Sequence, residues 1–321
     1  MKVLSALGLL PLGLICAVSP AIAAPKVVAT IKPIHALVAA VMGDIGSPLL
    51  IVKGGASPHT YALKPSDASA LEAAAIVFWA GHGMELFLQD SLDTLAANAV
   101  RVALDETPGL VTFPNREGGA FEAHEDEAEA GHEQAGQGHN AEAGHVDEQG
   151  AVDMHFWLDP VNAEAMVHVI AATLAVADPD NAAAYAANAG KEIAELAALT
   201  AELDAALARV RDKPFIVFHD AYQYFEKRFG LTIAGSLTIS PEVAPGAQRL
   251  DELKTRVVEL GATCVFAEPQ FEPAIIVSIT EGTPAKTGVL DPEASLLTEG
   301  PDLYPALLRG IAASLIDCLG R

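Results

Sequence analysis

Three histidines in this chain stand in segments suited to presenting a side chain to a ligand. His59 lies in Gly54-Gly55-Ala56-Ser57-Pro58-His59-Thr60-Tyr61, just past an apolar run, where two glycines and a proline make a tight loop that can aim an imidazole into a crevice. His155 lies in Asp153-Met154-His155-Phe156-Trp157-Leu158-Asp159-Pro160, whose aromatic residues can bury one side of the ring and hold it. His219 follows the apolar run 215–218 at what reads as the carboxyl end of a strand, and precedes Asp220. Neutral imidazole is the usual zinc ligand, at about 2.0 to 2.1 Å, and three of them leave one coordination position open. Each of the three also has a plainer reading as a satisfied structural histidine. The plainer reading is preferred for His35, placed near a helix start, and for His168, placed on a helix over 163–176. His82, in Ala80-Gly81-His82-Gly83 after a strand, is a minor candidate to stand behind the cleft ligands.

A second group has a different character. Between 115 and 150 the texture shifts to Gly, Ala, Glu, Asp and His, and His124, His132, His139 and His145 are scattered among carboxylates. Such a segment has almost nothing to bury and is expected to be a disordered or mobile loop. Its carboxylates attract a divalent cation and its neutral imidazoles can coordinate one, but every ligand must be ordered as the metal arrives, so binding there is expected to be weak. The alternative is a solvated linker that tolerates histidines.

The elements that would carry the three separate histidines form a repeating pattern. Short apolar, β-rich runs at 26–31, 49–52, 76–79 and 100–104 alternate with helical stretches, the pattern of a parallel sheet in an α/β lobe. The same alternation returns with strands at 215–218, 231–234, 264–267 and 287–290 and helices at 247–260 and 302–319. Between the two lies an Ala-, Glu- and Leu-rich stretch, 181–211, with Ile193, Leu196, Leu199, Leu203, Leu207 and Val210 along one face. It is either a stiff connector between lobes or an ordinary core helix. The expected organisation is an N-terminal lobe over 24–180, a linking helix over 181–211 and a C-terminal lobe over 212–321. Ligands of such sheets bind outside the carboxyl ends of the strands.

Residues 1–23 read as an export signal, with Lys2, an apolar run over 3–15 and a small-x-small site at Ala21-Ile22-Ala23, so cleavage is expected after Ala23. No later stretch reads as long and apolar enough to span a bilayer. Asp and Glu number 42 against 19 Lys and Arg, a formal net charge of −23, which disfavours nucleic acid as a partner. Removal of the signal takes away Cys16 and leaves Cys264 and Cys318, an even count in an exported chain, compatible with a disulfide or with two free thiols.

Taken together, Gly55-Ala56-Ser57-Pro58-His59-Thr60-Tyr61 with Lys64-Pro65-Ser66-Asp67, Met154-His155-Phe156-Trp157-Leu158-Asp159-Pro160, Phe218-His219-Asp220-Ala221-Tyr222, Pro245-Gly246-Ala247-Gln248-Arg249-Leu250 and Phe266-Ala267-Glu268-Pro269-Gln270-Phe271 resemble the ZnuA-type zinc-binding proteins of bacterial ABC importers. The resemblance runs over nearly the whole mature chain outside the His-rich loop. It implies a cluster A-I solute-binding fold, two α/β lobes with parallel-type sheets joined by one long rigid helix and a metal site in the cleft between them. It further implies that His59, His155 and His219 ligate Zn2+, that 115–150 is the family's charged insertion, and that Cys264 and Cys318 form a disulfide. The expected partners are a zinc ion and the membrane permease subunit of an importer, with the chain in the periplasm as a monomer. Some relatives carry an acidic residue before the first histidine, and here that position is Pro58. Water is therefore expected as the fourth ligand, followed by Asp291 in Leu290-Asp291-Pro292 and then by a loop histidine.

Two other functions use similar parts. A zinc hydrolase would also need an open metal position, but there is no HExxH pattern, and Glu268 and Asp220 are the nearest candidates for a general base. A manganese or iron binder on the same fold would favour carboxylates, whereas imidazoles suit zinc, copper or nickel.

Overall fold

The computed structural model describes residues 24–116, 121, 152–238, 247–259, 261–270 and 273–320. The export segment 1–23 and most of 115–150, with His124, His132, His139 and His145, lie outside the described residues.

The N-terminal lobe is a four-stranded parallel sheet, β1 (Val27–Ala29), β2 (Leu49–Leu50), β3 (Ile76–Trp79) and β4 (Val100–Ala103), in the order β2-β1-β3-β4. The central strands β1 and β3 are buried at every residue, as expected for apolar runs covered on both faces. Three helices alternate with these strands. α1 (Lys32–Met42) begins with Pro33, whose missing N–H costs nothing in a first turn, and ends at Gly43 with φ of 52°. α2 (Pro65–Glu72) opens on Pro65, with Asp67 accepting from the backbone N–H of Lys64 at 2.9 Å. α3 (Leu86–Leu95) leads into β4.

Two helices follow, and the second of them runs on into the next lobe. α4 (Pro160–Ala177) is capped by Asp159, whose Oδ1 accepts from Val161 N at 2.9 Å. By length and composition α4 is apolar enough to cross a membrane, contrary to the sequence expectation that no such stretch follows the signal. It is a core helix instead, with Met166, Val167, Ile170 and Leu174 buried. α5 (Ala182–Leu207) continues through a 3-10 turn to Val210 and spans about 39 Å at 1.5 Å per residue. Its buried face, Tyr185, Ala189, Glu192, Leu196, Leu199, Leu203 and Leu207, recurs every three or four residues and carries one polar member, Glu192.

The C-terminal lobe repeats the strand order of the first. β5 (Phe215–His219), α6 (Gln223–Phe229), β6 (Ile233–Thr238), α7 (Ala247–Glu259), β7 (Cys264–Ala267), α8 (Pro273–Thr280), β8 (Lys286–Val289) and α9 (Leu303–Leu319) build a parallel sheet ordered β6-β5-β7-β8. β6 starts two residues later than its apolar run suggested, because Thr232 serves as an acceptor for Phe215 N ahead of the ladder proper. A disulfide joins Cys264 on β7 to Cys318 on α9, 54 residues apart. The main apolar core is continuous from one lobe to the other through α1, α4, α5 and α9, and a smaller core lies between β5, β7, α7 and α8.

Candidate metal centre

His219 is the last residue of β5. β5 and β7 run parallel with Phe215 opposite Cys264 and Ile216 opposite Val265, so counting along both strands puts His219 opposite Glu268. The Glu268 carboxylate accepts from His219 Nδ1 at 2.7 Å and from the Tyr222 hydroxyl at 3.3 Å. With the proton on Nδ1, the lone pair of Nε2 faces outward, the arrangement in which a carboxylate orients a metal-binding histidine.

His155 is held by the same logic on another scaffold. Asp153 accepts at one oxygen from both the backbone N–H of His155 (3.0 Å) and its Nδ1 (2.9 Å). Its other oxygen accepts from Gln223 Nε2 at 3.2 Å, and its carbonyl accepts from the Tyr224 hydroxyl at 2.6 Å, so residues of α6 buttress a histidine that precedes α4. Residues Phe156–Leu158 form a buried 3-10 turn, in which Trp157 donates from Nε1 to the carbonyl of Pro292 at 3.0 Å and accepts at its own carbonyl from Tyr304 at 2.6 Å. The expected aromatic wall is there: the His155 and Trp157 rings are 5.4 Å apart.

His59 rides on a loop. Gly54, at φ of 67°, makes the left-handed turn that a side chain would resist. The loop is pinned beyond the histidine by the Tyr61 hydroxyl, which donates to Asp67 at 2.8 Å, and locally by Ser57, whose hydroxyl accepts from His59 N at 3.3 Å. Burial, with the two other imidazoles beside it, lowers the His59 pKa to about 2, so this ring stays neutral. Its Nε2 is buried and has no hydrogen-bond partner among the described residues.

The three imidazoles converge. Ring centroids are 5.4 Å (His59 to His155), 5.8 Å (His59 to His219) and 5.2 Å (His155 to His219) apart, and one donor atom from each lies within 4.8 Å of the others. Nε2 of His155 and Nε2 of His219 face each other at 3.3 Å. With both Nδ1 atoms donating to their carboxylates, the two Nε2 atoms of a neutral pair turn their lone pairs to one gap, which a proton or a metal cation can fill. A tetrahedral zinc with Zn–N of about 2.0 to 2.1 Å separates its ligands by roughly 3.3 to 3.4 Å. One edge of that tetrahedron is already set.

Several other residues stand apart from this cluster. Asp291 is outside it, and both its oxygens are engaged within its own loop, by Glu293 N (3.2 Å), Ser295 Oγ (2.8 Å) and Leu296 N (3.4 Å). His82 lies against Trp79, ring centroids 4.7 Å apart, and beside Asp105. His35 is in the first turn of α1, bonded through Nε2 to the carbonyl of Pro48 at 3.0 Å, and His168 is exposed on α4. The orienting roles of Asp153 and Glu268 escaped the sequence reading. The register of two parallel strands could have found Glu268, and an acid two residues before a ligand could have found Asp153.

The family described as ZnuA, zinc-uptake complex component A periplasmic, matches residues 27–318. The chain belongs to the ZnuA family. A high-affinity zinc uptake system protein ZnuA of Brucella suis biovar 1 (strain 1330) is 49% identical over 306 residues, covering 92% of each chain. A crystal structure of ZnuA superposes with a TM-score of 0.75 at 25% identity, covering 92% of this chain and 99% of that one. A zinc-bound ZnuA deletion mutant superposes with a TM-score of 0.70, also at 25% identity, covering 92% of this chain and 98% of that one.

Proposed function

We propose that His59, His155 and His219 hold one zinc ion between the lobes, and that the chain captures zinc in the periplasm and delivers it to the membrane permease of an ABC importer. The observation that carries this reading is the pair of Nε2 atoms at 3.3 Å, with the unpartnered Nε2 of His59 beside them. Three neutral imidazoles suit zinc, copper and nickel better than manganese or iron, and membership of a zinc-uptake family points to zinc among the first three. Water completes the tetrahedron, because Asp291 has both oxygens bonded within its own loop. The lobes are taken as 24–180 and 212–321 about the helix 181–211, and the mature chain as a monomer exported by cleavage after Ala23.

A transport role fits the site better than hydrolysis. The carboxylates that could serve as general bases are already engaged: Glu268 holds His219 and Tyr222, and Asp220 receives Arg116 at both oxygens. The loop 115–150 is a second, weaker zinc collector through His124, His132, His139 and His145.

Zinc calorimetry on the chain and on a variant lacking 115–150 tests both parts. One tight site per chain is expected in each, with the weak phase present only in the full chain. His219→Ala in the loop-deleted background should lose the tight phase. Unchanged affinity in that variant would sink the three-histidine assignment, and loss of the tight phase on loop deletion alone would replace the water by a loop ligand.

A further inference from the structure

On the side of the molecule where α1 and α9 both pack on α5, Glu192 is 8% exposed. Its carboxylate makes no hydrogen bond and no ion pair with any described residue. Both nearby cations are committed elsewhere. Lys191 leans to Glu195, 3.6 Å away, and Arg309 makes a two-pronged pair with Glu202 at 2.9 and 2.7 Å. A largely buried carboxylate that opens only onto a pocket, with no protein donor, is poorly compensated for the water it has lost.

Glu192 borders a cavity of about 380 Å3 that Asp44, Glu195 and Asp302 also line, with one cation, Lys191, at its wall and Ala39 and Pro305 among its apolar residues. Four acids against one lysine leave the pocket net negative. A bare divalent ion would require several oxygens converging on one point at about 2 to 2.6 Å. Among the described residues only the three histidines of the cleft bring ligand atoms from three side chains that close together. An ammonium or guanidinium group is less demanding, since its donors reach acceptors spread around it and its carbon stem can rest on apolar walls.

We propose that this cavity binds an organic cation, an alkylammonium or guanidinium group, through Glu192 with Glu195 and Asp302 around it. Such a group supplies the one thing Glu192 lacks, a charged donor at a buried acceptor. Burial first, then Glu195 and Asp302, raises the Glu192 pKa to about 7, while Lys191 opposes the rise. Asp44 adds negative charge, and Arg309, which lines a neighbouring pocket on the other side of Glu192, is held by Glu202. Binding a cation therefore competes with a proton, and affinity should rise from pH 6 to pH 8.

The test uses the full, zinc-loaded chain and two probes, 1,4-diaminobutane and N-acetyl-arginine methylamide, followed by calorimetry and amide chemical shifts around Ala39 and Asn188. Saturable binding of either probe, weakened about ten-fold or more in Glu192→Gln with the zinc site still loaded, supports the proposal. Preference for the diamine identifies a free polyamine as the natural source, and preference for the capped arginine identifies a protein side chain. Asp302→Asn serves as a second variant and should weaken the same probe by a smaller factor. No saturation by either probe up to about 10 mM, or equal binding to wild type and Glu192→Gln, overturns it. So does a Glu192-dependent response to Mg2+ that exceeds the response to both probes, which would make the cavity a metal site.

Discussion

The two lobes share one strand order, β2-β1-β3-β4 and β6-β5-β7-β8, yet they present their histidines by different means. In the C-terminal lobe the histidine ends a central strand, and the neighbouring parallel strand sets its orienting carboxylate beside it. That geometry is built into a single sheet. In the N-terminal lobe both histidines stand off the sheet, His59 on a loop and His155 ahead of a 3-10 turn, and Asp153, which orients His155, is held from across the cleft by Gln223 at its carboxylate and by Tyr224 at its backbone carbonyl. His219 is therefore oriented within its own lobe and the His59 loop is pinned within its own, whereas His155 is oriented partly by residues of the opposite lobe. The docking is extensive: Arg228 pairs with Asp159 at 2.7 and 2.6 Å, Arg116 with Asp220 and Glu226, and Lys32 donates to the carbonyls of Ala294, Ser295 and Leu297 at 2.8 to 3.1 Å.

Removing one histidine from each lobe should have the steepest effect on zinc binding. His155→Ala and His219→Ala should each weaken zinc binding by about three orders of magnitude or more, since even outer hydrogen-bond partners carry roughly 10- to 100-fold. A much smaller loss for His155→Ala, measured by competition with a chelator, would mean that the C-terminal lobe binds the ion largely alone.

The disulfide belongs to only one lobe and should act only on its stability. Closing a loop of 54 residues restricts the unfolded chain by about 4 kcal/mol in the chain-entropy model. Reduction, or Cys264→Ser with Cys318→Ser, should lower the thermal midpoint by several degrees while zinc stoichiometry stays at one. Loss of zinc binding with the fold intact would show that the bond positions His219 through β7.

Glu268→Gln and Asp153→Asn come next, each expected to cost roughly 10- to 100-fold in zinc affinity. Tyr224→Phe sharpens the contrast, because it loosens Asp153 from the opposite lobe and should lower affinity a few-fold through His155 without touching any metal ligand. An effect of Tyr224→Phe as large as that of Asp153→Asn would place the whole orienting role in the docking of the lobes.

The smallest effect concerns α5, which ties the lobes together. Glu192 has a pKa near 7 in the folded chain and an ordinary carboxylate value when unfolded. Its contribution is thus most favourable below about pH 4.5 and is lost as pH rises toward 7, because the unfolded chain releases the proton that the folded chain keeps. Glu192→Gln should raise the thermal midpoint relative to wild type by an amount that grows between about pH 4.5 and 7 and then levels off. A pH-independent difference, followed by calorimetry across that range, would show that Glu192 does not titrate with folding.

Much of this molecule could be read along the chain. Runs such as Ile76–Trp79 and Cys264–Ala267 are strands because local apolar, β-branched and aromatic residues leave few other ways to bury them. The stripe on α5 follows from helical spacing, and the loops around His59 and His155 announce themselves through Gly, Pro and aromatic neighbours. These are local signals, and a one-dimensional pattern carries them. Tertiary structure alone decided that α4, apolar enough for a bilayer, lies in the core; that Glu268 and Asp153 orient the imidazoles; and that two Nε2 atoms face each other at 3.3 Å. It also decided that Asp291 turns inward on its own loop and that Glu192 is buried without a partner among the described residues. Each depends on strand register or on the packing of one lobe against the other, where residues tens of positions apart meet. Such contacts are fixed by the summed burial of many side chains and by the pairing of the backbone, and no short stretch of sequence encodes them on its own.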